Sequence, residues 1–225
     1  MPPEMDNENR PALVAFDLDG TLVDTMQGFA DVAADVISER RGWTWERSRE
    51  GYIETCGAPF HQQMELLFPA HADNAEDAAE FERRKEVVFY EARMDPAVKD
   101  ALTALRDAGL RLAVTSNNFE RLVRSMIERE AAGLFDEVLG FREGFAKGKD
   151  HFEALWTRFE MTPEGCVFVG DSLSDLKKAA DAGTRFVGIH GTFARERFLA
   201  LDASARTVGS VAELPALLSV RSEIN

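Results

Sequence analysis

Apolar residues come in short runs cut by polar turns, and a helical stretch follows most of them. Leu13 to Phe16 is an apolar run ended by Asp17-Leu18-Asp19-Gly20, which predicts a buried strand entering a turn. Val98, Leu102 and Leu105 recur at i, i+4, i+7, one face of a helix, with Gly109 at its end. Leu110 to Val114 reads as a strand stopped by the polar Thr115-Ser116-Asn117-Asn118, and Phe119 to Glu130 as a helix. Further on come a helix over Phe152 to Phe159 and a strand over Val167 to Val169, ending in Gly170-Asp171. Leu173 to Ala182 reads as a helix closed by Gly183, Arg185 to Ile189 as a strand, and Val211 to Leu218 as a last helix. This alternation predicts an α/β, Rossmann-like core: a parallel sheet with helices on both faces. Ligands bind such sheets at the carboxyl ends of the strands, where Asp17, Ser116 and Asp171 fall.

Residues 24–94 lack that alternation. They read as an inserted helical domain with helices over Thr25 to Arg41, Trp45 to Thr55, Phe60 to Leu67 and Ala75 to Arg93. Breaks fall at Gly42, Gly57-Ala58-Pro59 and Pro69. The insertion is expected above the first strand's carboxyl end, with residues 11–23 and 95–225 as the core domain and 1–10 as a disordered tail. The acidic run from Asp73 to Glu82 reads as a solvated helix face.

Composition narrows the function. At 45% hydrophobic and 29% charged, the 225 residues are ordinary globular material, not a disordered chain. Forty acids against 26 bases give a net charge of −14, which disfavours nucleic acid and anionic membrane as partners. No apolar run approaches the ~18 residues of a membrane span, and the polar start is not a secretory signal. Two cysteines, Cys56 and Cys166, make no disulfide framework and read as reduced, packed thiols. The expected setting is a cytoplasmic protein, monomer or homodimer, acting on a small molecule.

Carboxylates supply the chemistry. Asp17 and Asp19 stand two apart at a strand end, so both can face one site, and Gly20 permits the sharp turn. Two close carboxylates push one pKa up, which suits a nucleophile beside a general acid. A plain turn after a strand is the bland alternative. Gly170-Asp171-Ser172-Leu173-Ser174-Asp175 repeats the pattern at another strand end. Asp171 and Asp175 could share a helix face, or Asp171 could simply cap that helix. Several carboxylates in one crevice need a cation, and oxygen ligands with few fixed positions beside a phosphate partner favour Mg²⁺ over zinc or calcium. Positive charge would come from Lys147 or Lys149, and Ser116 with Asn117 could cradle phosphoryl oxygens.

Together these residues resemble the haloacid dehalogenase superfamily, from about residue 12 to 190. Asp17-Leu18-Asp19-Gly20-Thr21-Leu22-Val23-Asp24-Thr25 matches its first motif, Ser116 its second, and Gly170-Asp171-Ser172-x-x-Asp175 its fourth. Lys147 stands 24 residues before Asp171 and fits the family's lysine spacing better than Lys149, at 22; both remain open. The insertion is similar in place and size to the helical cap of phosphoglycolate phosphatases and β-phosphoglucomutases. The resemblance implies an Mg²⁺-dependent phosphatase acting on a small phosphate ester. It makes Asp17 the nucleophile, which forms an aspartyl-phosphate, and Asp19 the general acid and base. Metal ligands would be Asp17, the Asp19 carbonyl, Asp171 and Asp175. Ser116, Asn117 and Lys147, or Lys149 instead, would hold phosphate, and Gly20 and Thr21 would order the loop. A sugar phosphomutase and a catalytically silent binding member are the alternatives. Asp19 speaks against carbon–halogen chemistry, because true dehalogenases lack that second aspartate.

Overall fold

The computed structural model describes residues 11–218; the tail expected over residues 1–10 lies outside them. Two compact units divide the chain: Asp24–Arg93, and a second made of the chain up to Val23 together with the chain from Met94 on.

The larger unit is the Rossmann-like α/β core expected from the alternation. Its strands are β1 (Leu13–Phe16), β2 (Arg111–Phe119), β3 (Glu137–Phe141), β4 (Cys166–Gly170), β5 (Arg185–Ile189) and β6 (Arg206–Val208). All pair in parallel, in the order β3-β2-β1-β4-β5-β6. β1 is fully buried at the centre because all four residues are apolar. On one face Leu13, Ala15 and Phe168 pack with Phe152 and Leu155, and with Ala179. On the other, Phe16 meets Phe135 edge to face at 6.2 Å. Phe16 pairs with Val114 on one side and Val169 on the other. This register delivers Asp17, Thr115 and Gly170 side by side at one end of the sheet.

Several features were not anticipated, helix Arg195–Leu201 among them. The edge strands β3 (Glu-Val-Leu-Gly-Phe) and β6 (Arg-Thr-Val) carry no unbroken apolar run like that of β1. β2 does not stop at Val114 but runs to Phe119. Between Thr115↔Leu139 and Phe119↔Phe141, residues 116–118 of β2 face Gly140 alone, a bulge that absorbs the polar stretch. The last helix begins as a 3₁₀ turn over Val211–Glu213 and becomes α-helical only at Leu214–Leu217. Pro215 fits there because a first helical turn has no use for its missing N–H.

The smaller unit holds four helices: α1 (Met26–Arg41), α2 (Trp45–Thr55), α3 (Phe60–Leu67) and α4 (Asn74–Glu91). Phe60 and Phe81 stack at 3.9 Å in its core, with Phe29 and Tyr52 against Phe81. The acidic run on α4 is not wholly solvated. Asp77 is fully buried and accepts from Arg41 Nε at 2.6 Å and Arg40 Nη1 at 3.0 Å. Two arginines ending α1 recruit one acid out of the run, which a linear charge pattern does not reveal. Among the described residues no helix is long and apolar enough to cross a membrane, and both cysteines are free and buried.

Candidate active site

The site grows from the ends of β1, β2 and β4. After Phe16 the chain turns at Gly20 (φ 75°), whose N–H donates to the Val23 carbonyl at 2.8 Å. The Leu18 carbonyl accepts from Leu22 N and Val23 N at 2.9 and 3.1 Å. The turn is thus closed by main chain. The buried Thr21 hydroxyl meets no hydrogen-bond partner among the described residues.

Asp17, Asp171 and Asp175 are buried, and one carboxylate oxygen from each lies within 4.8 Å of the others. The Lys147 ammonium is 2.8 Å from Asp17 Oδ1 and 2.8 Å from Asp175 Oδ1. Lys149 points elsewhere: its side chain is 83% exposed, 3.8 Å from Glu153. Asp171 does not cap the following helix; Ser172 does. The Ser172 hydroxyl accepts from Asp175 N at 3.1 Å and donates to Asp175 Oδ2 at 2.7 Å, a reciprocal box closing helix Leu173–Ala182. A Cβ on Gly170 would stand 2.7 Å from Asp175 Oδ2, so only glycine lets β4 run this close. The Asp19 side chain stands apart from the triad. It accepts from Asn118 Nδ2 at 2.5 Å and, more loosely, from the Ser116 hydroxyl at 3.5 Å. Asn117 lies on the same bulge of β2.

Electrostatics follow from burial. Desolvation pushes the Asp17 carboxyl up to about 7, against the pull of Lys147 and with the push of Asp175 and Asp19. Desolvation, then Asp17 and Asp175, raises Asp171 well above its ordinary value. Asp175 goes the other way: burial opposes ionisation, but Lys147 and Lys178 outweigh it. Three buried carboxylates against one ammonium leave uncompensated negative charge. The donors are all hard oxygens, with no sulfur or imidazole in the cluster. That set fits a hard divalent cation.

Sequence reasoning missed three contributors. Asn118 was read only as part of a loop. Thr192, just beyond β5, donates its hydroxyl to Asp171 Oδ2. Its signal was topological: β5 neighbours β4, so the loop after β5 opens at the same sheet end. His151, one turn after Lys147, is fully buried with its ring 4.6 Å from Phe145. Burial, reinforced by Lys147, drops it to about 4, so it is neutral at pH 7.

The family of haloacid dehalogenase-like hydrolases matches residues 14–189, a span holding every carboxylate above. The chain belongs to this family. Among curated haloacid dehalogenase-like relatives, the phosphoglycolate phosphatase of Salmonella paratyphi A is 33% identical over 206 residues, covering 78% of this chain and 80% of that protein. The phosphoglycolate phosphatase of Pseudomonas putida is 29% identical, covering 80% and 69%. Solved structures share the fold. A haloacid dehalogenase-like family protein from Streptococcus pneumoniae superposes with a TM-score of 0.75 at 19% identity, covering 92% of this chain and 97% of that one. CbbY from Rhodobacter sphaeroides in complex with phosphate gives 0.72 at 24% identity, covering 93% and 99%.

Proposed function

We propose that this hydrolase is an Mg²⁺-dependent phosphatase that cleaves a small phosphomonoester through an aspartyl-phosphate on Asp17. The observation that carries this reading is Asp17 itself, buried beside Asp171 and Asp175 with Lys147 at 2.8 Å. Asp17, Asp171, Asp175 and the Asp19 carbonyl would hold the ion. When bound, Mg²⁺ would offset the charge of the triad and of the phosphoryl group.

An Asp17 carboxylate oxygen attacks phosphorus, and the bond to the ester oxygen breaks. Asp19 gives that oxygen its proton. Asp19, now ionised, takes a proton from water; the water oxygen attacks phosphorus, the bond to Asp17 breaks, and inorganic phosphate leaves. Ser116, Asn117 and Lys147 bind the phosphoryl oxygens, because positioning and charge dominate this chemistry. Gly20 and Thr21 shape the turn between the two acids. Phosphoglycolate, the substrate named for the curated relatives, is the first ester to try.

Phosphate release across a panel of phosphoesters, with and without Mg²⁺, tests this. Release should require the ion, and Asp17→Asn should abolish it with an unchanged circular dichroism spectrum. A near-normal rate in that variant would overturn the assignment. Conversion of β-glucose 1-phosphate to glucose 6-phosphate without net release would make the enzyme a mutase.

A further inference from the structure

Asn118 takes no part in the chemistry above, yet its side chain reaches Asp19. Its Nδ2 donates to Asp19 Oδ2 at 2.5 Å, and its own N–H donates to the Ser116 hydroxyl at 3.0 Å. The side chain is nearly sealed from water, at 5% exposure. It lies on the β2 bulge, where residues 116–118 are set against one residue of β3. That residue is Gly140, where an added Cβ would fall 2.9 Å from the Asn118 carbonyl oxygen and 2.4 Å from Glu120 Cα. The absent side chain at 140 is what lets the bulge close up.

From this geometry we infer that Asn118 is a positioning residue: its amide anchors a carboxylate oxygen of Asp19 and so fixes how that carboxyl is oriented for proton transfer. The inference rests on the phosphatase reading above. An amide is suited to the task because it donates a fixed hydrogen bond and does not ionise. The Ser116 hydroxyl reaches the same oxygen more loosely, at 3.5 Å.

The test compares two esters and watches the covalent step. p-Nitrophenyl phosphate leaves without a proton, whereas glycerol 2-phosphate needs one. In Asn118→Leu, turnover of glycerol 2-phosphate should fall by at least about 10²-fold, the usual worth of a positioned acid or base. With p-nitrophenyl phosphate the variant should show a stoichiometric burst of p-nitrophenolate and then a slow steady state, because attack survives and hydrolysis of the aspartyl-phosphate does not. KM for p-nitrophenyl phosphate should fall along with its steady-state rate, because the covalent intermediate then accumulates. Gly140→Ala, which leaves Asn118 in the chain but crowds its backbone, should show the same split in weaker form. Equal losses on both esters without a burst would make Asn118 merely structural and overturn the inference, as would unchanged rates. If the wild type forms no aspartyl-phosphate, as read by rapid quench, the phosphatase reading fails and the inference falls with it.

Discussion

At the residue scale, Lys147 decides the balance of the site. Its ammonium touches Asp17 and Asp175, and both carboxylates raise its pKa against the opposing effect of burial. It is therefore charged at any working pH. Breaking a buried pair costs about 3–5 kcal/mol, because the remaining charges stay out of water. Lys147→Met should lower the melting temperature and abolish turnover, and added Mg²⁺ should recover more of the melting temperature than it adds to the wild type. A variant melting like the wild type without the ion would show that these pairs carry no weight. Cys166 is the contrasting case: burial pushes its thiol up to about 11, so it packs and does not react.

At the element scale, two buried acids tie helices together. Glu130 ends helix Glu120–Ala131 and accepts from Lys99 Nζ at 3.0 Å, on helix Pro96–Asp107. It also accepts from Arg129 Nε at 2.9 Å and Met94 N at 3.3 Å. Burial would raise this carboxyl, but the hydrogen bonds from Arg129, Lys99 and Met94 outweigh it and hold it at about 2. A depressed carboxyl stabilises the fold above its unfolded value of 4.5, and that stability is lost as pH falls through about 2. Glu130→Gln should therefore cost about 1.5–3 kcal/mol at pH 7. The gap to wild type should close between pH 4.5 and 2 in urea titrations; a gap independent of pH would refute the ionic account. In the smaller unit, Asp77→Ala leaves Arg41, whose side chain is 4% exposed, without its buried carboxylate and with only the neutral Asn74 amide oxygen and the His71 ring beside it, and should cost about 3–5 kcal/mol. Arg41→Met added to Asp77→Ala should restore most of it. A double variant no more stable than the single one would exclude this explanation.

At the scale of the whole molecule, the site is a charge problem that the fold leaves unsolved. Burial and mutual repulsion raise both Asp17 and Asp171, so a bound cation relieves the folded state and not the unfolded one. Mg²⁺ at 100 times its dissociation constant should add about 2.7 kcal/mol of stability. That corresponds to a rise of several degrees in melting temperature for a chain of this size. Asp171→Asn should remove the rise and leave the metal-free melting temperature equal or higher, since one repelling charge is gone. A rise of the same size in Asp171→Asn would place the ion elsewhere.

Local pattern alone determined the sheet strands around β1, the four helices between Asp24 and Met94, and the two acidic turns. Apolar runs must be buried wherever they fall, and glycine marks the sharp turns; both are properties of short segments. The strand register was beyond that reach, and it alone sets Asp17 beside Asp171, which are far apart in the chain. The choice between two lysines two residues apart was equally illegible: Lys147 enters the cluster and Lys149 faces water because of where helix Lys149–Phe159 begins. Asn118 and Thr192 reach their acids through a bulge and a neighbouring loop, and Asp77 is buried by arginines from another helix. Such contacts depend on which surfaces meet in three dimensions, and only tertiary packing decides that.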